Sequence, residues 1–113
     1  SMLLLHRADI NTAMMSSHAT PIHLAANANA VQAARVLLEN GADLESETAD
    51  GETALHLGVN TGAVAVVTFL LDHRTNINAR TSSGATALYR AVQSGHHNIV
   101  ALLLRSKAAT EIP

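Results

Sequence analysis

The chain has 113 residues and a formal net charge of −2, with 48% hydrophobic residues, 2% aromatic residues and no cysteine. That composition supports a core of Ala, Leu and Val with only Phe69 and Tyr89 as aromatics, which suits closely packed helices rather than a β-sandwich. It also excludes disulfides, thiol catalysis and cysteine-ligated zinc, and it offers no basic patch for nucleic acid.

In chain order, the first apolar block is LLLHRADIN at 3–11, read as the end of a partial repeat over 2–16 with a helical stub near 2–6. Leu3–Leu5 lacks the charged flank and cleavage site of a signal peptide. Three segments then align without gaps: TPIHLAA at 20–26, TALHLGV at 53–59 and TALYRAV at 86–92, so that Thr20, Thr53 and Thr86 are 33 residues apart. Each is followed by a second block: VLLENGADLE at 36–45, FLLDHRTNIN at 69–78 and LLLRSKAATE at 102–111. The apolar spacing predicts paired helices near 21–28 and 31–40, 54–61 and 64–73, and 87–94 and 97–106. The chain divides accordingly into a single array, 1–113, with repeats at 17–49, 50–82 and 83–113. One extra residue falls in the first loop, where His18 stands in place of glycine.

Thr20, Thr53 and Thr86 are the expected N-caps, and Pro21 sits at a first helical position where its missing N–H costs nothing. Ala25, Gly58 and Ala91 share a register that needs a small side chain for close helix approach. Gly41 is the expected left-handed stop of the first outer helix, with Arg74 and Lys107 in the same register. The period of 33, with Thr-Pro-x-His and Leu-Leu-x-x-Gly-Ala-Asp, resembles the ankyrin repeat, and the resemblance covers nearly the whole chain.

That resemblance implies an all-α solenoid of stacked helix-turn-helix units joined by hairpin-like loops. It implies that His23 and His56 bond to the Thr three residues before them, a bond that Tyr89 interrupts in the third repeat. It also implies that a partner protein binds at the hairpin tips and the concave inner-helix face. The residues there are Ser17, Asp50 and Ser83, then Ala19, Glu52 and Ala85, then Arg90, which follows Leu24 and Leu57 in its register. Asn27, Asn60 and Gln93 come next, then Thr61 and Ser94 beside Ala28. Finally, Leu3, Asp9, Ile10 and Asn11 resemble the pattern of a cytosolic asparaginyl hydroxylase substrate, with Asn11 as the modified residue.

Seven histidines raise metal binding, but the 33-residue recurrence of His23 and His56 is structural, and adjacent His96 and His97 diverge on a helix turn. Glu45 with Glu47, and Asp50 with Glu52, read as solvated loop charges rather than catalytic pairs. No nucleophile elbow or phosphate loop occurs. The expectation is a non-enzymatic protein-interaction module without cofactor or metal, cytoplasmic or nuclear, without membrane insertion and part of a longer repeat protein. The alternative is a structural spacer with no ligand of its own, which the scarcity of aromatics favours. Apolar Leu3–Leu5 at one end and Ile99–Leu104 at the other predict self-association end to end.

Overall fold

The computed structural model describes residues 19–111. The expected stub at 2–6, the loop with Ser17 and His18, and Asn11 lie outside the described residues. Within them the chain forms six helices: α1 Pro21–Asn27, α2 Val31–Glu39, α3 Ala54–Thr61, α4 Val64–Asp72, α5 Ala87–Ser94 and α6 His97–Glu111. The inner helices α1, α3 and α5 pack on one another in order, and so do the outer helices α2, α4 and α6. Each inner helix also packs against the outer helix that follows it, which gives two layers of α-helix and no strand among the described residues.

The starts of the inner helices follow from their Thr caps. Thr20, Thr53 and Thr86 hold extended backbone, with φ of −92°, −90° and −90°, and Pro21 occupies the first turn of α1. Buried Ile22, Leu55, Val59, Val66, Val67, Leu70, Ile99 and Leu103 fill the space between the layers, with alanines where helices approach closely. Gly58 marks the closest approach. A Cβ built there would lie 3.2 Å from Val67 Cγ2 and 3.6 Å from Val66 Cγ1. In the first repeat the equivalent positions hold Ala25 and Ala34, both buried, so volume lost from the inner helix at Gly58 is restored on the outer helix at Val67.

The outer helices end differently. Gly41 takes φ +97° after α2, and Arg74 holds φ +61° after α4, a conformation that costs a non-glycine residue about 1 kcal/mol. Thr75 and Asn76 keep Arg74 there, because Glu45 Oε2 accepts from Thr75 Oγ1 at 2.9 Å and from the Asn76 N–H at 3.0 Å. Lys107 departs from expectation. It lies inside α6, which runs to Glu111 rather than stopping near 106. The following Ala108, Ala109 and Glu111 are good helix formers, whereas Thr75, Asn76 and Asn78 after Arg74 are poor ones.

Two further ties cross between repeats. Asn29 adopts φ +56° between α1 and α2, and its Oδ1 accepts from the Val66 N–H at 3.2 Å, satisfying an amide in the first turn of α4. Glu45, an exposed loop charge, is therefore also a clip between repeats, and Asn29 is a cap supplied by the repeat before.

Two mutational outcomes follow from this geometry. Gly58→Ala gains about 1 kcal/mol of helix propensity but meets an overpacking cost of about 1–3 kcal/mol against Val67. A net loss in urea unfolding is expected in the native background, and a net gain in a Val67→Ala background; equal effects in both would sink the volume exchange. Arg74→Gly should be neutral or stabilising by up to about 1 kcal/mol, while Lys107→Gly should cost about 1 kcal/mol as a glycine within a helix. The opposite signs at two positions in one register are checked by the same unfolding measurement.

Candidate functional site

Each of the two described hairpins between repeats is tied down by a buried imidazole. The Thr20 N–H donates to His23 Nδ1 at 2.9 Å, and His23 Nε2 bonds the Ser46 carbonyl, 23 residues on, at 2.8 Å. The second repeat repeats the arrangement. The Thr53 N–H donates to His56 Nδ1 at 3.1 Å, and His56 Nε2 reaches the carbonyls of Ala79 at 3.1 Å and Ala85 at 3.2 Å. Because Nδ1 accepts from a backbone N–H in both rings, the network assigns the proton to Nε2. His56 has its pKa held below the ordinary 6.5, chiefly because burial disfavours the cation, and the nearby Arg90 guanidinium acts in the same direction. The carbonyls of Ala85 and Ala79 oppose the shift without cancelling it.

The third repeat lacks this link. Tyr89 stands where His23 and His56 stand, and it is 58% exposed where the imidazoles are fully buried. Thr86 caps α5 directly, accepting the Tyr89 N–H on its hydroxyl at 3.2 Å.

With the hairpins fixed, two grooves open along the inner helices. The first, of about 460 Å³, lies between α1 and the hairpin at 48–52 and is lined by Leu24, Asn27, Thr48, Ala49, Asp50, Glu52 and Leu57, with His23 and Ala19 at its floor. The second, of about 840 Å³, lies between α5 and the hairpin at 80–85. Asn60, Arg80, Ser83, Gly84, Thr86, Tyr89, Arg90, Gln93 and Ser94 line it, together with Ala85. Between the two grooves, Arg90 Nη1 donates to Glu52 Oε2 at 2.7 Å, with both side chains about four-fifths buried. Neighbouring hairpins are also joined directly, by the Ser82 N–H to the Asp50 carbonyl at 2.9 Å.

The expected partner-binding residues thus separate. Asn27, Asp50 and Glu52 come together in the first groove, and Asn60, Ser83, Arg90, Gln93 and Ser94 in the second. Thr61 is exposed but lines neither groove, and its hydroxyl donates back to the Leu57 carbonyl at 3.2 Å. Ser17 and Asn11 lie outside the described residues. Ala19 and Ala85 are corrections: each borders a groove but is buried, so its methyl side chain offers a partner almost no surface. Ala85 donates its N–H to Thr81 Oγ1 at 3.2 Å and gives its carbonyl to His56, so backbone bonding rather than surface contact occupies it. Glu52 is likewise an ion-pair partner rather than a solvated charge.

Arg80 and Tyr89 are the functional candidates that the sequence reading passed over. Both carried a signal: each departs from its own register, Arg80 from Glu47 and Tyr89 from His23 and His56. Among the described residues no group of three or more His, Cys, Asp or Glu side chains is placed to hold a metal ion. No helix of the described residues is long and apolar enough to cross a membrane.

Stacked helical pairs, hairpins fixed edgewise to the inner helices and open grooves between them define a helical-repeat protein with an extended concave face. A model of ankyrin repeats in three copies matches residues 1–81 and 45–112, and the chain belongs to the ankyrin repeat family. Members of that family are generally protein–protein interaction modules. No curated protein matches the chain significantly.

The neutral His56 makes stability depend on pH in one direction. Its folded pKa is lowered, so as pH falls below 6.5 the unfolded chain takes up a proton before the folded chain does. The contribution of His56 is therefore complete above 6.5 and declines as pH drops towards the depressed folded value. Urea unfolding between about pH 7.5 and pH 5.5 should show declining stability, with a shallower decline in His56→Gln. An NMR titration of the His56 ring with a midpoint at or above 6.5 would contradict the assignment.

Proposed function

We propose that this chain holds a partner protein along its hairpin tips and concave inner-helix face and carries out no reaction itself. The observation behind the reading is the division between recurring and departing positions. Residues that recur at 33 are largely buried: Thr20 with Thr53, His23 with His56, and Ala25 with Gly58 and Ala91. Residues that depart from the period line the grooves: Asp50 in the first where Ser83 lines the second, Arg90 where the earlier repeats have Leu24 and Leu57, and Tyr89 in place of the buried imidazoles. Packing constrains the first set, whereas the second set is free to vary with what the grooves hold, and Arg90 is already turned into its groove by Glu52.

Nothing in the grooves suits bond-breaking chemistry. They are open, and their charged groups are either engaged with each other, as Glu52 with Arg90, or spaced around a wide mouth. The proposal includes work in the cytoplasm or nucleus, compartments that a cysteine-free chain suits.

The reading is tested by placing a photo-crosslinking amino acid at Asn27 or Gln93 on the concave face, and at Val36 or Arg105 on the outer helices, in the native cell. Adducts concentrated at the concave positions are expected. Equal adducts at all four, or none at any, would favour the spacer reading, in which these repeats join other segments and contact nothing themselves.

A further inference from the structure

Hairpin by hairpin, the concave face reverses its charge. The first hairpin carries Glu47, Asp50 and Glu52; the same three register positions in the second hold Arg80, Ser83 and Ala85. A carboxylate cluster is thus replaced by a single guanidinium within one 33-residue step. The inner helices change in the same sense, since Arg90 stands where Leu24 and Leu57 stand. Arg80 and Arg90 line the same groove, and no carboxylate lines it with them. Glu52 meets Arg90 from the side of the first groove and uses one guanidinium nitrogen of a fork that has five N–H donors. Arg80 is exposed and makes no ion pair among the described residues.

From this charge reversal we infer that the second groove takes an acidic peptide segment of the partner, with a carboxylate set between Arg80 and Arg90. The inference rests on the concave-face reading above and adds the chemistry of the occupant. Two planar guanidinium groups favour carboxylates through paired N–H donors, and the Arg90 fork is already oriented by Glu52. Tyr89, more than half exposed on the groove wall, gives a rigid ring for the aliphatic stem beside that carboxylate. Asn60, Gln93 and Ser94 offer amide and hydroxyl groups to the peptide backbone. The acidic stretch is confined to this end. Continued along the face, it would meet Glu47, Asp50 and Glu52, where like charges repel. Nucleic acid fits poorly, because a phosphate backbone needs a track of cations and the adjoining hairpin is acidic.

The test is selection of a random peptide library displayed on phage against the full chain, followed by affinity measurement of the enriched synthetic peptides. Enrichment of Asp and Glu at one end of the peptides is expected, with binding weakened about tenfold by Arg80→Glu and weakened by added salt. The same selection on Arg80→Glu should enrich Lys and Arg at that end. Arg80→Ala, with circular dichroism on both variants, separates loss of charge from loss of fold. Peptides whose binding is blocked by a groove-filling Ser94→Trp but that show no acid enrichment, or that tolerate Arg80→Glu, would overturn the acidic occupant and leave the concave-face reading standing. Failure to enrich any peptide sensitive to Ser94→Trp would overturn both.

Discussion

Two buried imidazoles set the spacing on which the concave face depends. His23 and His56 each accept a backbone N–H at the start of their own helix and bond a carbonyl 23 residues downstream, so one ring fixes the distance between an inner helix and the following hairpin. Both rings are fully buried, and a partner group left without its bond there would cost about 1–3 kcal/mol. Moving the hairpin outward by about an ångström would take the bond at Nε2 beyond hydrogen-bond reach. The hairpins are therefore held edgewise to the helices, and the grooves are the space that this fixed offset leaves.

The same rigidity is repeated at two other levels of the stack. At the turn between inner and outer helices, Asn29 reaches forward to the Val66 amide. At the far end of the outer helices, Glu45 grips Thr75 and Asn76. Between these polar ties the layers meet through small residues, with Gly58 and Val67 exchanging volume relative to Ala25 and Ala34. A chain with so few aromatics cannot rely on a few large anchors. Its stability is spread over interfaces between neighbours, each a combination of close aliphatic contact and one or two bonds across the joint.

The sequence made the helices legible because their signals are local and recur. Thr at the cap, apolar spacing and the 33-residue step give all six within a residue or so at every boundary except the end of α6. That exception has a local cause as well: Lys107 shares a register with Gly41 and Arg74, but Ala108 and Ala109 after it carry the helix onward. What was not legible depends on contacts between repeats. Nothing near Asn29 or Glu45 in the sequence indicates that their partners lie 37 and 30 residues away. Ala19 and Ala85 were placed on the surface by their loop register with Glu52, yet a methyl side chain there stays buried where the longer Glu52 reaches Arg90. Most of the groove residues were found by register, whereas Arg80 was missed because it lies one turn of chain before the tip.

Arg90 shows how packing and recognition meet at one residue. A leucine at this register in the first two repeats contributes apolar surface to the concave face, and Leu24 remains half exposed there. Replacing it with arginine would place an unpaired charge against the inner-helix layer unless an acid met it, and Glu52 does so from the preceding hairpin at 2.7 Å. Glu52 immediately precedes Thr53, whose N–H donates to His56 Nδ1, so the ring that bonds the following hairpin also fixes the backbone beside the acid. The imidazole that closes the joint between repeats thus also orients the acid that orients the arginine. Each step passes a position fixed by packing to one free to vary, and the chemistry of the second groove rests on the same bonds that hold the stack together.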